Sequence, residues 1–198
     1  MDKDRLDRQI EFIREIDKEK SIGRQTYLAD ASRKEDDAEH AWHMAIMTVL
    51  LSEYANEKID VLRTVTMLLI HDLVEIDAGD TYAYDENAKK TQRERELKCA
   101  DRIFSILPED QGKYMRELWE EFEAQETPEA KFARTMDNFQ PVILNDASKG
   151  KSWAEKGVHL SQILKRNART GEGSEELWKY SYAVSYTHLR AHETDSYL

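Results

Sequence analysis

Cysteine occurs once, at Cys99, in a chain of 198 residues. A single cysteine excludes both a disulfide framework and a thiolate zinc site, and reads as a buried, inert side chain. Glycine (7) and proline (3) are scarce, so the chain has few breakers. Ala, Leu, Glu, Lys and Met recur in their place, which points to an all-α fold. Excess positive charge is missing as well: 29 Lys and Arg stand against 40 Asp and Glu, a formal net charge of −11. That balance excludes a nucleic-acid polymer as partner, because a phosphate backbone needs a basic footprint. A small phosphorylated molecule stays compatible, since a bound cation supplies positive charge locally. No apolar run is long enough to span a bilayer, and Met-Asp-Lys-Asp-Arg lacks an apolar signal core, so a cytoplasmic location is expected. The length suits one domain with a real core.

What the chain does have is concentrated between Met67 and Asp80. The apolar run Met67-Leu68-Leu69-Ile70 leads into His71-Asp72, with Glu75 and Asp80 close behind. On a helix, His71 and Glu75 are i and i+4 and share a face. Asp72 projects about 100° further round, near enough for both to reach one ion. An imidazole and carboxylates beside Leu68, Leu69 and Val74 are costly to bury unless a cation compensates. A second imidazole, His40, lies in the opening turns of an apolar helix after Asp37-Asp-Ala-Glu. A further carboxylate, Asp137, sits between Met136 and Phe139 rather than on a plainly polar face.

The order His40 … His71-Asp72 … Asp137 resembles the H…HD…D signature of the HD-domain metal-dependent phosphohydrolases. Ala38-Glu39-His40 followed by His71-Asp72-Leu-Val-Glu75-Ile-Asp-Ala-Gly79-Asp80 is similar to the branch of small 5′-deoxynucleotidases and their eukaryotic HD-domain relatives. The resemblance runs from about Ile10 to Tyr182. It implies a single all-α bundle whose helices bring His40, His71, Asp72 and Asp137 together. These would hold one divalent ion, whether manganese, cobalt, magnesium, iron or zinc. Two imidazoles and two carboxylates suit a first-row divalent ion better than a structural zinc, and leave positions open for water and a phosphate oxygen.

The resemblance further assigns Glu75 to the attacking water and Asp80 to the sugar or leaving oxygen. It places an arginine from the loop before the first ligand helix near the phosphate, with Arg24 the better candidate and Arg33 the second. The implied reaction is hydrolysis of a nucleoside 5′-monophosphate to nucleoside and phosphate, by a homodimer. The competing readings are a phosphohydrolase of cyclic nucleotides or guanosine alarmones, and a non-catalytic helical sensor of metal or nucleotide. A sensor needs no acid to position water, which counts against the last. A di-iron bundle requires paired Glu-x-x-His motifs that the chain lacks.

The remaining pattern predicts a helix over Asp4–Lys18, a polar irregular stretch from Ser21 to Asp36, and a ligand helix to about Asn56, in which His43 reads as packing or support for the ligands. A single helix over Val61–Ala78 is expected next, capped by Asp60 and ended by Gly79, then a polar loop with Tyr82 and Tyr84 at the rim. Helices over 87–107 and 109–126 follow. Thr127-Pro128 is an N-cap with proline at the first helical position, and Pro141 is placed to kink that helix just beyond Asp137. One helix is expected over 153–166, then a linker at Gly171–Ser174 and a last helix over 175–183; His159 reads as structural. Val184–Thr194 resembles one reading frame of a sequencing-library adapter, so residues 184–198 are expected to lie outside the native domain of residues 1–183.

Overall fold

The scarcity of breakers shows directly in the computed structural model, which describes residues 3–79 and 89–195. Eleven helices and one small hairpin follow in order among the described residues. They are α1 (Lys3–Ile16), β1 (Gly23–Tyr27), β2 (Lys34–Asp36), α2 (Asp37–Leu51), α3 (Val61–Ile70), α4 (Glu75–Ala78), α5 (Lys89–Ile106) and α6 (Glu109–Ala124). Then come α7 (Pro128–Ala147), α8 (Lys151–Lys156), α9 (Leu160–Arg166), α10 (Thr170–Gly173) and α11 (Glu175–Asp195). No described helix is long and apolar enough to cross a membrane.

The starts of the helices are written in side chains. Asp36 accepts from the Glu39 amide (2.8 Å) while the Glu39 carboxylate accepts from the Asp36 amide (3.1 Å), a reciprocal cap that launches α2 just before His40. Asp60 caps α3, accepting from the Arg63 amide. Thr127 caps α7, with Pro128 at a position where its missing N–H costs nothing. Gly79 ends α4 at φ +74°, a conformation that L side chains rarely adopt.

Helix α7 is the axis of the molecule. Phe132, Ala133 and Met136 are fully buried, and the helix packs against α2, α3, α6, α10 and α11. Around it, Met44, Met67, Leu68, Ile103, Leu118, Trp119 and Phe122 form the main core. A smaller cluster of Val142, Trp153, Val158 and Ile163 closes the far end. Helix α10 approaches α7 so closely that a Cβ on Gly173 would stand 2.4 Å from the Lys131 carbonyl oxygen.

Five expectations change, one of them the linker at Gly171–Ser174, where Thr170–Gly173 forms α10. Ser21–Asp36 is not irregular throughout: β1 and β2 pair antiparallel, with Gly23 opposite Asp36 and Tyr27 opposite Lys34. Five residues on one strand therefore face three on the other, a bulged register. The single helix over Val61–Ala78 is broken, with a 3₁₀ turn at His71–Val74 between α3 and α4. The His71 Nδ1 lies 2.9 Å from the Leu68 carbonyl, engaging an oxygen of the last α3 turn where the tighter turn begins. The helix over 153–166 is two, parted by Gly157 at φ +60° and restarted by His159, whose amide bonds the Gln162 side chain. Lastly, α11 does not stop at residue 183. It continues through Asp195, with Ser185 buried, Val184 against the smaller cluster, and His188 Nε2 2.7 Å from Asp146. Pro141 lies inside α7, and the helix runs on to Ala147.

Candidate metal centre

Each expected ligand is delivered by a different kind of local structure. His40 sits one turn into α2, behind the Asp36 cap, and is wholly buried. His71 and Asp72 open the 3₁₀ turn. Asp137 lies in the middle of α7, four residues before Pro141. Proline has no N–H to offer the Asp137 carbonyl, so the helix is loosened at the ligand itself.

The four side chains converge. His40 Nε2 is 3.2 Å from Asp137 Oδ1, His71 Nε2 is 3.0 Å from Asp72 Oδ2, and His71 Nε2 is 3.9 Å from Asp137 Oδ1. One ligand atom from each of His40, His71 and Asp72 falls within 4.8 Å of the others. Opposed ligands at about 2.1 Å from an ion stand about 4.2 Å apart, so small adjustments suffice.

The donor set fits a cation for a specific reason. The Leu68 carbonyl can only accept, so His71 donates through Nδ1 and a neutral ring presents a lone pair at Nε2. That buried Nε2 makes no hydrogen bond, and two carboxylate oxygens face it. Lone pairs opposed in a dry interior require a positive charge between them. Burial pulls the His71 imidazole down, but the Asp72 and Asp137 carboxylates outweigh it and raise the ring to about 9. Burial also pushes the Asp72 carboxyl up, yet His71 and Arg24 outweigh that and hold it well below the usual carboxylate range. A proton on His71 and a divalent ion are thus alternative ways of screening the same pair of carboxylates. His40 goes the other way, lowered to about 4 by burial and by the Arg24 charge, so it is neutral and available as a ligand.

Glu75 is buried at the start of α4 and lines the same cavity as His71, Asp72 and Asp137. The break at His71–Val74 means that it gets there through a 3₁₀ turn rather than one unbroken α-helical face. Arg24 also lines the cavity, its Nη1 donating to both Asp72 Oδ2 and Asp37 Oδ1 at 2.9 Å. The bulge explains how: Arg24, Gln25 and Thr26 all line the cavity in succession, which regular strand alternation would forbid. Arg33 is placed elsewhere. It is exposed, forks onto the Glu39 carboxylate, and is absent from the cavity wall. Asp80, Tyr82 and Tyr84 lie outside the described residues.

Two arginines escaped the sequence reading. Arg134 Nη1 donates to Asp137 Oδ2 at 3.0 Å, and Arg166 Nη2 reaches the same oxygen at 3.3 Å. Burial raises the Asp137 carboxyl, but the His40 contact and these two guanidiniums outweigh it and hold it well below the ordinary range. Arg134 stands three residues before Asp137, a spacing that could have flagged it. Arg166 has no local signal, being brought in by the fold at the end of α9.

The cavity these groups line is about 170 Å³. Its wall mixes the carboxylates with Arg24, Arg134 and Arg166 and the amides Gln25, Asn138 and Asn167. Imidazole, carboxylate, guanidinium and neutral amide groups thus share one concave surface.

Residues 16–178 match the HD domain family model. The human 5′-deoxynucleotidase HDDC2 is 30% identical over 135 residues, which cover 68% of this chain and 65% of that protein. The chain therefore spans just under two thirds of the length of this relative. The crystal structure of a predicted metal-dependent phosphohydrolase from Magnetospirillum magnetotacticum MS-1 superposes with a TM-score of 0.89 at 46% identity, covering 94% of this chain and 93% of that one. A conserved hypothetical protein from Pyrococcus furiosus, 23% identical, shares the fold with a TM-score of 0.62 over 88% of this chain and 98% of its own. With the family model spanning most of the chain and the side chains of His40, His71, Asp72 and Asp137 drawn together, this protein belongs to the HD domain family.

Proposed function

We propose that this chain is a metal-dependent phosphohydrolase that cleaves nucleoside 5′-monophosphates, deoxynucleotides foremost, to nucleoside and phosphate. The observation that carries the reading is the convergence of His40, His71, Asp72 and Asp137, the last three lining one cavity together with Glu75 and Arg24. When bound, the divalent ion acts as a Lewis acid toward a phosphoryl oxygen and lowers the pKa of a water. The protein's own groups do the rest. Arg24, Arg134 and Arg166 offer guanidinium N–H donors matched to phosphate oxygens. Glu75 holds the attacking water and takes its proton as oxygen bonds to phosphorus, a role worth about 10²–10⁴-fold. The bond to the sugar O5′ breaks, and that oxygen leaves with a proton; Asp80 is assigned to this end by resemblance alone. Gln25, Asn138 and Asn167 supply neutral contacts for the nucleoside.

The family resemblance supports a homodimer, and the surface is compatible with one. Trp42, Ile46, Val49 and Leu50 on α2, with Leu62 and Leu69 on α3, are all exposed and uncharged. On a chain of net charge −11, such an uncharged apolar face is where a second copy could approach without repulsion. Light scattering should give twice the 23.2 kDa chain mass, and Leu62→Glu should halve it; a wild-type monomer refutes this part.

The activity is tested by phosphate release from a panel of 5′-mono-, 3′-mono- and cyclic nucleotides and a guanosine alarmone, with manganese or cobalt supplied. Release from the 5′-monophosphates, deoxy before ribo, is the expected result. Turnover confined to the cyclic nucleotide or the alarmone would replace the reading, and none at all would leave a sensor.

A further inference from the structure

The two imidazoles of the centre are not supported alike. His71 has its second nitrogen on a backbone carbonyl, 2.9 Å from the Leu68 oxygen. His40 has no such partner: its Nδ1 makes no hydrogen bond, although the residue is wholly buried. Beside it lies the carboxylate of Glu35, from β2, itself buried, with Oε1 at 3.7 Å from Nδ1. Oε1 also makes no hydrogen bond. The other oxygen of Glu35 is anchored, since Gln140 Nε2 donates to Oε2 at 2.8 Å, and Gln140 is in turn 3.3 Å from His43 Nδ1. A buried ring nitrogen and a buried carboxylate oxygen therefore face each other across a gap slightly too long for a bond.

We propose that Glu35 is the positioning residue for His40: its carboxylate accepts the Nδ1–H and so fixes the tautomer that turns the Nε2 lone pair toward the ion. The chemistry is one-directional. A neutral imidazole that offers Nε2 to a cation carries its hydrogen on Nδ1. At His40 that hydrogen points into an interior closed to water, where Glu35 Oε1 stands ready with no competing hydrogen bond. His40 Nε2 lies 3.2 Å from Asp137 Oδ1, and Nδ1 lies 3.7 Å from Glu35 Oε1. Carboxylate–histidine–metal relays of this kind set ring orientation and ligand basicity. Gln140 acts one step further out, holding the carboxylate, and His43 holds Gln140.

The inference rests on the reading of His40 as a ligand, so the test separates the two. Glu35 also lies 3.6 Å from Arg24 Nε, and its loss would disturb that side chain as well. The readout is accordingly made on the metal alone, without substrate: cobalt(II) affinity by competition with a chromophoric chelator, and the visible spectrum of the cobalt-loaded protein. Glu35→Gln and Glu35→Ala should each weaken cobalt binding by about 10–100-fold and alter its absorption bands. Gln140→Met should follow in the same direction with a smaller change. Urea melts of the chelated proteins report folding separately, and the more conservative Glu35→Gln covers the case in which Glu35→Ala is poorly folded. If His71→Ala abolishes cobalt binding while both Glu35 variants bind like wild type, the positioning role is wrong and the centre stands. If His71→Ala also binds normally, the metal reading itself fails.

Discussion

Replacing Asp137 by asparagine removes a charge while keeping the shape, and the structure says what that should cost. One carboxylate oxygen faces His40, and the other accepts from Arg134 at 3.0 Å and Arg166 at 3.3 Å. An asparagine can accept through one atom only. Either its NH₂ opposes the two guanidiniums, or it turns toward the imidazoles and blocks the ion. Hydrogen bonds to charged groups contribute about 1.5–3 kcal/mol each, and breaking a buried pair costs about 3–5 kcal/mol. The two arginine side chains are 25% and 29% exposed, so water compensates part of this. A net loss of about 2–3 kcal/mol in the chelated protein is expected, read from urea denaturation. Because the folded carboxyl titrates well below its unfolded value, the contribution is fully present above the unfolded pKa and is lost only as pH falls through the folded one. The gap between wild type and Asp137→Asn should therefore be flat from about pH 5 to 8. Metal affinity should fall in the same variant. Unchanged stability with unchanged metal binding would refute the account of this residue.

Three further outcomes follow from the same geometry. Glu75→Gln should keep ion affinity and lower kcat by roughly 10²–10⁴-fold; full turnover in that variant would remove Glu75 from the chemistry. Gly173→Ala should cost about 2–3 kcal/mol, because the new Cβ meets the Lys131 carbonyl oxygen at 2.4 Å and Thr135 Oγ1 at 2.5 Å, and a loss below about 0.5 kcal/mol in a urea melt would contradict the close approach of α10 to α7. Ending the chain after Ala183 should lower stability by about 1–2 kcal/mol through loss of the Val184 and Ser185 packing and the His188–Asp146 contact; an unchanged melting temperature would show that this part of α11 adds nothing.

The parts legible in the sequence were those whose cause is local. The all-α class followed from the scarcity of glycine and proline, and the start of α7 from Thr127-Pro128. His40, His71, Asp72 and Asp137 were picked out by residue type and order, and the structure brings all four together. The hairpin was not legible. Its strands are polar, and its turn places Ala31 at φ +59° with Asp30 capping the Ser32 amide, so the usual Asn-Gly signal is missing. The break at His71 was hidden because the apolar run suits an unbroken helix and only the imidazole's bond to Leu68 shows otherwise. Arg24 was ranked ahead of Arg33 from the sequence, and the structure places Arg24 on the cavity wall and Arg33 on Glu39. Arg166 comes from an element far from Asp137 in sequence, and no spacing rule reaches it.

One ion held by His40, His71, Asp72 and Asp137 is expected to enable phosphate release. The most direct measurement titrates cobalt into chelated wild-type protein and records bound metal and phosphate release from a 5′-deoxynucleotide in the same samples, with His71→Ala alongside. Release should rise in step with occupancy and saturate at about one ion per chain, while His71→Ala binds little and releases little. Release that survives chelation, or full occupancy in His71→Ala, would contradict it.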